Sequence, residues 1–305
     1  MRIVSLLPAL TELVCALGRR EDLVGVTHEC DFPRNVAELA RLTRSRLPDD
    51  ATSAQIDALV AEQANGLFDL DEARLGELAP DLILTQEQCD VCAVNEATVR
   101  RVAAKLAGKP HVESVDPRTL DEIFAMFRRV GDLLERPLEA EHHVAGFHRT
   151  IRWIREFIAP TRPKPRVLLL EWLDPPYSCG HWNPEIVELA GGREMIGRPG
   201  ERSRRVTWEE IVETSPEVLI LALCGLPLDR AEREAAAIVD RPEWRELPAV
   251  RDGRVALVDG SSFFTRPGPR LEVSLRIAAA AITPHMFAAS DTRRGQAWKF
   301  LEPPN

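Results

Sequence analysis

Reactive side chains directly follow short hydrophobic runs in both halves of this 305-residue chain. The runs resemble buried strands, and strands that alternate with helices favour a parallel sheet with helices packed against it. In such a sheet, ligands bind beyond the carboxyl ends of the strands. We therefore expect one binding cleft, built from residues that lie far apart in the chain. The runs and the residues after them are LVGV (23–26) with Thr27, His28, Glu29 and Cys30; DLILT (81–85) with Gln88, Cys89 and Cys92; RVLLL (166–170) with Tyr177, Cys179, His181 and Trp182; VLILAL (218–223) with Cys224; and RVALVD (254–259) with Phe263, Phe264 and Arg266.

The strand and helix pattern occurs twice, which predicts two similar α/β lobes. ELAPDLILT (77–85) and ETSPEVLIL (213–221) both read as the end of a helix, a proline, an acid and a strand. Helical spacing between the lobes predicts two helices, over 119–135 and 138–158. The predicted fold is α/β, with two parallel-sheet lobes joined by a long backbone helix and a ligand cleft between them. The predicted boundaries are 1–117 for the first lobe, 118–163 for the helical connector, 164–290 for the second lobe and 291–305 for a tail that is loosely ordered or packs only through Trp298 and Phe300.

Composition excludes several classes of protein. A formal net charge of −9 disfavours a nucleic-acid binder, which normally presents a basic face. No apolar run approaches 18 residues, so the sequence does not predict an integral membrane protein. Pro8 and Glu12 interrupt the first apolar run, and no small-residue cleavage site follows, so a signal peptide is not predicted. The expected location is the cytoplasm for the chain as written, or the periplasm or cell exterior if a leader precedes it.

The cysteines raise the question of a metal. Cys89 and Cys92 form a C-x-x-C pair after a predicted strand, a spacing that can hold Zn²⁺ or part of an iron–sulfur cluster. The candidates for completing such a site are Cys224, Cys179, Cys30, His28 and His181. A redox pair and simple pocket-lining thiols are alternative interpretations of the same residues.

Imidazole, aromatic and cationic side chains make a second set of candidates. His28 and His181 can act as metal ligands or as hydrogen-bonded loop residues. Flat aromatic walls suit a macrocyclic ligand, and Arg266 can bind a carboxylate, amide or phosphate group. The aromatic candidates are Tyr177, Trp182, Phe263 and Phe264.

Several segments, in this order and spacing, resemble class III periplasmic-type substrate-binding proteins. They resemble in particular the vitamin B12-binding proteins of bacterial importers, in the helical backbone metal receptor group. The resemblance spans about residues 2–285. The segments are RIVSLLPALTELVCALG (2–18), LVGVTHECDFP (23–33), LAPDLIL (78–84), DPPYSCG (174–180), VELAGGREMI (187–196), TSPEVLIL (214–221) and SSFFTRPGPR (261–270).

The resemblance implies two lobes that hold a corrinoid or iron chelate with little hinge motion. It places Tyr177, Phe263, Phe264 and Arg266 at the ligand, and Glu29, Cys30 and Asp31 at the cleft. An acidic residue on each lobe would dock an ABC permease: Glu209 fits the second position, whereas Ala73, beside Glu72, occupies the first. An aromatic residue expected before VTWEE is replaced here by Ser203 or Arg204. The Cys89–Cys92 element and Cys224 are not part of the pattern.

Three hypotheses follow. The first is a protein that captures cobalamin or a related corrinoid or metal chelate for an ABC-type uptake system. The second is a cytoplasmic metalloprotein or enzyme with zinc or an iron–sulfur cluster on the cysteines. The third is a redox-sensing binding module. The nucleophile-elbow, phosphate-loop, dinucleotide-binding and zinc-protease motifs are all absent from the sequence, so it does not predict an enzyme.

Overall fold

The structure is a computed structural model that describes residues 1–48, 51–62, 67–87, 95–158, 163–287 and 294–302. Two compact units are present. Unit 1 comprises residues 1–117 and 123–143, and unit 2 comprises residues 118–122 and 144–305. Each unit has its own sheet, as the repeated sequence pattern predicts.

Unit 1 contains a five-stranded sheet in the order β3-β2-β1-β6-β7, and all its strands are parallel. A separate antiparallel pair is formed by β4 and β5, which the sequence pattern does not predict. The strands are β1 (Ile3–Ser5), β2 (Leu23–Val26), β3 (Ala40–Arg41), β4 (Thr43–Ser45), β5 (Phe68–Leu70), β6 (Leu82–Gln86) and β7 (His111–Val115).

Two helices of unit 1 begin with side-chain caps that the sequence supplies. The carboxylate of Asp71 accepts from the backbone N–H of Arg74, and Asn95 caps the next helix in the same way. The helices of this part of the chain are α1 (Pro8–Ala16), α2 (Ser53–Glu62), α3 (Glu72–Leu78), α4 (Glu96–Ala103), α5 (Leu120–Leu133) and α6 (Pro137–Phe157), with 3₁₀ turns at Arg20–Asp22 and Arg34–Glu38.

The core of unit 1 lies between the sheet and helices α3 and α4. Alternate residues of β1 and β6, such as Val4 and Ile83, are fully buried there because successive side chains of a strand point to opposite faces. Gly25 allows this close packing: a Cβ atom at that position would lie 2.7 Å from Leu78 Cδ1 and 2.8 Å from Leu42 Cδ1.

The long helices α5 and α6 match the two predicted between the lobes. Both contribute residues to each unit. No described helix is long and apolar enough to cross a membrane.

Unit 2 contains a sheet in the order β10-β8-β11-β12-β13, with β9 paired to β8. The three pairings among β10, β8, β11 and β12 are parallel as predicted, but β9 and β13 run antiparallel to their neighbours. The sheet is therefore mixed. The strands are β8 (Arg166–Leu173), β9 (Pro176–Ser178), β10 (Arg193–Glu194), β11 (Val218–Leu221), β12 (Val255–Val258) and β13 (Trp298–Phe300).

Helices cover both faces of this sheet. One face packs its leucines against Trp208 and Trp244, and Thr207 begins the helix of Trp208 with a full capping box. The helices are α7 (Asn183–Leu189), α8 (Trp208–Thr214), α9 (Leu228–Ala236), α10 (Pro242–Glu246), α11 (Pro248–Arg251), α12 (Leu271–Ile282) and α13 (Pro284–Phe287).

In the tail, the structure agrees with the second of the two predicted alternatives, packing through Trp298 and Phe300. Residues Trp298–Phe300 form an edge strand antiparallel to β12, which the sequence did not predict, and Trp298 is fully buried. A three-residue strand is too short to show period-two alternation, so only its tertiary partner reveals it.

Candidate ligand-binding residues

In unit 1 the loop after β2 is fixed by Arg41. Its guanidinium Nη1 donates to the carbonyl oxygens of Thr27 and Cys30, each at 2.7 Å. Cys30 is 1% exposed, and its Sγ lies 3.1 Å from the hydroxyls of both Thr11 and Thr27. The thiol therefore lies in the core of unit 1, whereas Glu29 next to it is exposed.

His28 is partly exposed and is held by its neighbour Thr43. The ring Nδ1 lies 2.7 Å from Thr43 Oγ1, which also accepts from the backbone N–H of His28 at 3.0 Å. Burial, and secondarily the positive charge of Arg41, lower the pKa of His28. The imidazole is therefore neutral at physiological pH, the form that can ligate a metal.

Three predicted site residues of unit 1, Gln88, Cys89 and Cys92, lie outside the described residues. The described residues include no group of three histidine, cysteine or acidic side chains placed to hold a metal ion. In unit 2, Cys224 is partly exposed, whereas Cys179 is buried. Burial and the neighbouring Glu194 and Glu171 raise the pKa of the Cys179 thiol well above its usual value. The thiolate is the metal-binding form, so this protonated thiol is a poor ligand.

Two carboxylates that the sequence analysis does not single out hold the loop after β8. Glu171 Oε1 accepts from Asn183 Nδ2 at 2.8 Å and from the backbone N–H of Gly180 at 3.3 Å, and its Oε2 accepts from the Ser203 hydroxyl. Burial raises the pKa of Glu171, although these three hydrogen bonds oppose the effect. An acid within the apolar run VLLLEWL is the signal that marks this residue in the sequence.

Glu194 occupies a nest of donors at the end of β10. Its carboxylate accepts from the backbone N–H groups of Leu169, Ile196 and Gly197 at 3.1 to 3.2 Å. The residue keeps some solvent contact, yet it lies deep enough for burial to raise its pKa to about 7. One of the two carboxylates next to the Cys179 thiol therefore changes charge near neutral pH.

The predicted pocket residues after β8 are tied together by backbone and ring contacts. His181 has a left-handed backbone (φ 54°), and its N–H donates to the Glu201 carbonyl at 2.6 Å. Trp182 is 4% exposed, and its indole Nε1–H donates to the Phe264 carbonyl at 2.8 Å. Tyr177 and His181 remain partly exposed, so these are the rings of this loop that a ligand can reach.

The loop after β12 is also locked. A Cβ atom on Gly260 would lie 1.9 Å from the Leu223 carbonyl oxygen, so only glycine fits where this loop crosses the end of β11. Phe263 is 7% exposed, and Phe264 is fully buried with a left-handed backbone (φ 69°). The Phe264 N–H donates to Ser274 Oγ at 2.9 Å. These two rings support the loop from within.

The loop also carries cations beside its rings. The guanidinium of Arg270 lies 5.5 Å from the centre of the Phe263 ring, within cation–π range. Arg266 is partly exposed on the same loop. The structure thus joins the loop after β8 to the loop after β12 through the hydrogen bond between Trp182 and Phe264.

A groove of about 570 Å³ lies elsewhere, along α5. Its arginines already have acidic partners: Arg128 donates to Glu141 at 2.8 Å, and Arg129 donates to Glu113 at 3.0 Å. The groove is wide open and lacks aromatic walls, so it does not suit a macrocycle. It is lined by Ala125, Arg128, Arg129, Asp132 and Leu133.

The family model for periplasmic binding proteins matches residues 3–261, which is most of the chain. This chain belongs to the periplasmic binding protein family. The family consists of binding proteins and not of enzymes, in agreement with the absence of catalytic motifs from the sequence.

Individual relatives are distant. The vitamin B12-binding protein of Yersinia pestis is 25% identical over 225 residues, covering 72% of this chain and 69% of the relative. An uncharacterised ABC transporter substrate-binding lipoprotein of Bacillus subtilis is 23% identical over 292 residues, covering 94% of this chain and 81% of the relative.

Solved structures share the two-lobed α/β fold. A periplasmic haem-binding protein from Pseudomonas aeruginosa has a TM-score of 0.71 at 21% identity, with 93% of each chain covered. The periplasmic vitamin B12-binding protein of Vibrio cholerae has a TM-score of 0.66 at 20% identity, covering 93% of this chain and 96% of that one. The predicted fold class is therefore confirmed. Neither the relatives nor the described residues support zinc or an iron–sulfur cluster.

Proposed function

We propose that the protein captures cobalamin, a related corrinoid or another metal chelate such as haem, and delivers it to an ABC-type importer. The observation that carries this proposal is the family match over residues 3–261, which includes the loop after β8 with Tyr177. Relatives named for vitamin B12 binding and structural neighbours named for haem or vitamin B12 binding support the same ligand class.

The loops of unit 2 suit such a ligand. Tyr177 and His181 offer partly exposed rings, and Trp182 and Phe264 fix the backbone behind them through one hydrogen bond. A ligand site built on a fixed backbone loses little conformational entropy on binding. In unit 1, His28 contributes a neutral imidazole and Glu29 an exposed carboxylate as further candidates.

An importer role accounts for the acidic residue at one of the two expected docking positions. Glu209 is exposed in the first turn of α8, where an importer subunit can reach it. Glu72 is also exposed but pairs with Arg101 at 2.8 Å, beside Ala73. The Bacillus subtilis relative is named as an ABC transporter substrate-binding lipoprotein, and the structural neighbours are named periplasmic. We accordingly propose a periplasmic or extracellular location; the cytoplasmic location expected from the sequence has no support among the relatives.

Absorption titration tests the proposal. Purified protein is titrated with cyanocobalamin, hemin and a ferric hydroxamate, and its metal content is measured by elemental analysis. We expect saturable binding of one of these ligands with a dissociation constant in the micromolar range or below. Tyr177→Ala should weaken that binding at least about tenfold, the loss of one buried aromatic contact. The control variant Phe157→Ala removes an exposed ring of α6 and should leave the affinity unchanged.

The alternatives give different results. A wild-type protein that binds none of these ligands contradicts the proposal. Tightly bound zinc, or iron with sulfide, would instead favour the metalloprotein hypothesis based on Cys89, Cys92 and Cys224. Equal affinities of wild type and Tyr177→Ala would show that the loop after β8 is not the binding site.

A further inference from the structure

An arginine-rich segment, residues 200–206, runs antiparallel along the loop that carries Tyr177. Backbone hydrogen bonds join this segment to the loop at both ends. Val206 N–H donates to the Pro176 carbonyl at 2.9 Å, and Gly200 N–H donates to the His181 carbonyl at 3.0 Å. Ser178 N–H donates to the Arg204 carbonyl at 2.9 Å between them. We call residues 200–206 the arginine segment.

The arginine segment is held in one position. A Cβ atom on Gly180 would lie 2.2 Å from the backbone nitrogen of Ser203, so the backbones of the Tyr177 loop and the arginine segment are in direct contact. The Ser203 hydroxyl also donates to the Glu171 carboxylate beneath. Side chains that point away from this contact are therefore presented from a fixed backbone.

Arg205 lies directly opposite Tyr177. The pair is flanked by hydrogen bonds on either side and makes none between its own backbones. In such a pair the Cα atoms are about 4.5 Å apart and both side chains project to the same face. Arg205 is exposed and Tyr177 partly exposed, so a guanidinium and a phenol ring are presented together.

Two guanidinium groups of the arginine segment carry uncompensated charge. Within the described part of the chain, Arg202 and Arg205 form neither an ion pair nor a side-chain hydrogen bond. Arg204 between them differs, because it pairs with Glu210 at 3.1 Å. Some exposed arginines elsewhere have partners, such as Arg74 with Glu77 at 2.7 Å, whereas others, such as Arg193 and Arg198, have none among the described residues. What distinguishes Arg205 is its position opposite Tyr177.

We propose that Arg205 and Arg202 bind anionic groups on the periphery of the captured ligand, so that the ligand class is a chelate that bears carboxylates. This inference rests on the proposed function and narrows it. A guanidinium binds a carboxylate through two parallel N–H···O bonds, and Tyr177 beside it provides a ring for the flat part of the ligand. Neutral amide side chains, as in cobalamin, gain less from a guanidinium because the bond is assisted by charge on one side only.

The test compares ligands that differ only in peripheral charge. Wild-type protein and the variants Arg205→Gln and Arg202→Gln are titrated with dicyanocobyrinic acid, which bears carboxylates, and with dicyanocobinamide, which bears mainly amides. Hemin and hemin dimethyl ester in dilute detergent form a second pair. The matched control is Arg204→Gln, which removes the same charge from the same segment but from a guanidinium that already has a partner.

We expect wild type to prefer the carboxylate member of the pair that binds. We expect Arg205→Gln to weaken that member about fivefold at low salt, a loss typical of one partly solvated charge-assisted contact. The ester or amide member and the Arg204→Gln control should change less than about twofold.

The failures are distinguishable. If wild type binds both members equally and the arginine variants change neither, the arginine segment is a solvated loop and this inference is wrong, while the proposed function stands. An equal loss for Arg204→Gln and Arg205→Gln would show an effect of net charge alone and would also overturn the inference. If wild type binds no member of either pair, the inference is overturned; the proposed function fails with it only if cyanocobalamin and the ferric hydroxamate do not bind either.

Discussion

Glu194 and Glu171 show how single carboxylates organise this protein. Each accepts three hydrogen bonds: Glu194 from the backbone of β8 and of the turn after β10, and Glu171 from Gly180, Asn183 and Ser203. A deep carboxylate without such donors would carry the full penalty of leaving water. The donors keep both groups in place, but burial still raises the pKa of each.

The pKa of Glu194 predicts a pH-dependent stability. In the folded protein it is about 7, against the ordinary glutamate value of 4.5. The folded state therefore binds this proton more tightly than the unfolded state, and the stabilisation is complete below about pH 4.5 and lost as pH rises through about 7. We expect Glu194→Gln, which cannot titrate, to flatten the fall in the free energy of unfolding between pH 5 and 7.5.

The measurement is urea unfolding at several pH values. One titrating proton changes the free energy of unfolding by at most about 1.4 kcal/mol per pH unit. The difference in unfolding free energy between wild type and Glu194→Gln should therefore change with pH at a rate of up to about 1.4 kcal/mol per pH unit. Glu188→Gln, at an exposed residue paired with Lys164, is the control and should run parallel to wild type. If the unfolding free energies of wild type and Glu194→Gln change with pH in the same way, the raised pKa of Glu194 is contradicted.

For single residues, the sequence did not predict the direction in which each side chain points. The rule that ligands lie beyond strand ends directs attention to the loops after β2, β8 and β12. It does not reveal that Cys30 turns inward between two threonine hydroxyls, or that Phe264 is fully buried. Those orientations depend on tertiary neighbours such as Thr11 and Ser274, which lie far away or on another element.

At the scale of elements, the contact between the Tyr177 loop and the arginine segment depends on Gly180. Gly180→Ala would bring a Cβ atom within 2.2 Å of the Ser203 nitrogen and 2.7 Å of the Glu201 carbonyl oxygen, both backbone atoms that cannot turn aside. We expect Gly180→Ala to separate the Tyr177 loop locally from the arginine segment, to destabilise the protein by about 1–3 kcal/mol, and to weaken ligand binding.

Chemical denaturation and ligand titration measure this effect. The control is Gly108→Ala, where the added Cβ atom meets nothing within 4 Å and the backbone is not left-handed, so stability should change little. If Gly180→Ala binds ligand with the wild-type affinity, the close contact between the Tyr177 loop and the arginine segment is not needed for ligand binding.

The elements themselves were predictable to different degrees. Long apolar runs gave β6, β8, β11 and β12 close to their observed bounds, because a buried strand of four or more residues leaves a clear composition signal. Strands β3, β10 and β13 have two or three residues each and exist through their pairing with a neighbour. The helices α5 and α6 were predicted well because their apolar spacing persists over several turns.

At the scale of the molecule, family membership gives the fold and the class of function. We propose that the ligand binds at the loops beyond β8 and β12 of unit 2. Those loops are held in place by the hydrogen bonds of Glu171 and Glu194 and by the close backbone contacts at Gly180 and Gly260. Such loops should change little in conformation but should lose solvent access when a ligand binds.

Hydrogen–deuterium exchange with mass spectrometry, with and without the ligand found by titration, tests that claim most directly. We expect slower exchange on binding in peptides that cover residues 176–182, 200–206 and 261–270, with no slowing along α5, where the open groove lies. Protection confined to α5, or unchanged exchange in all three loop segments at saturating ligand, would contradict it.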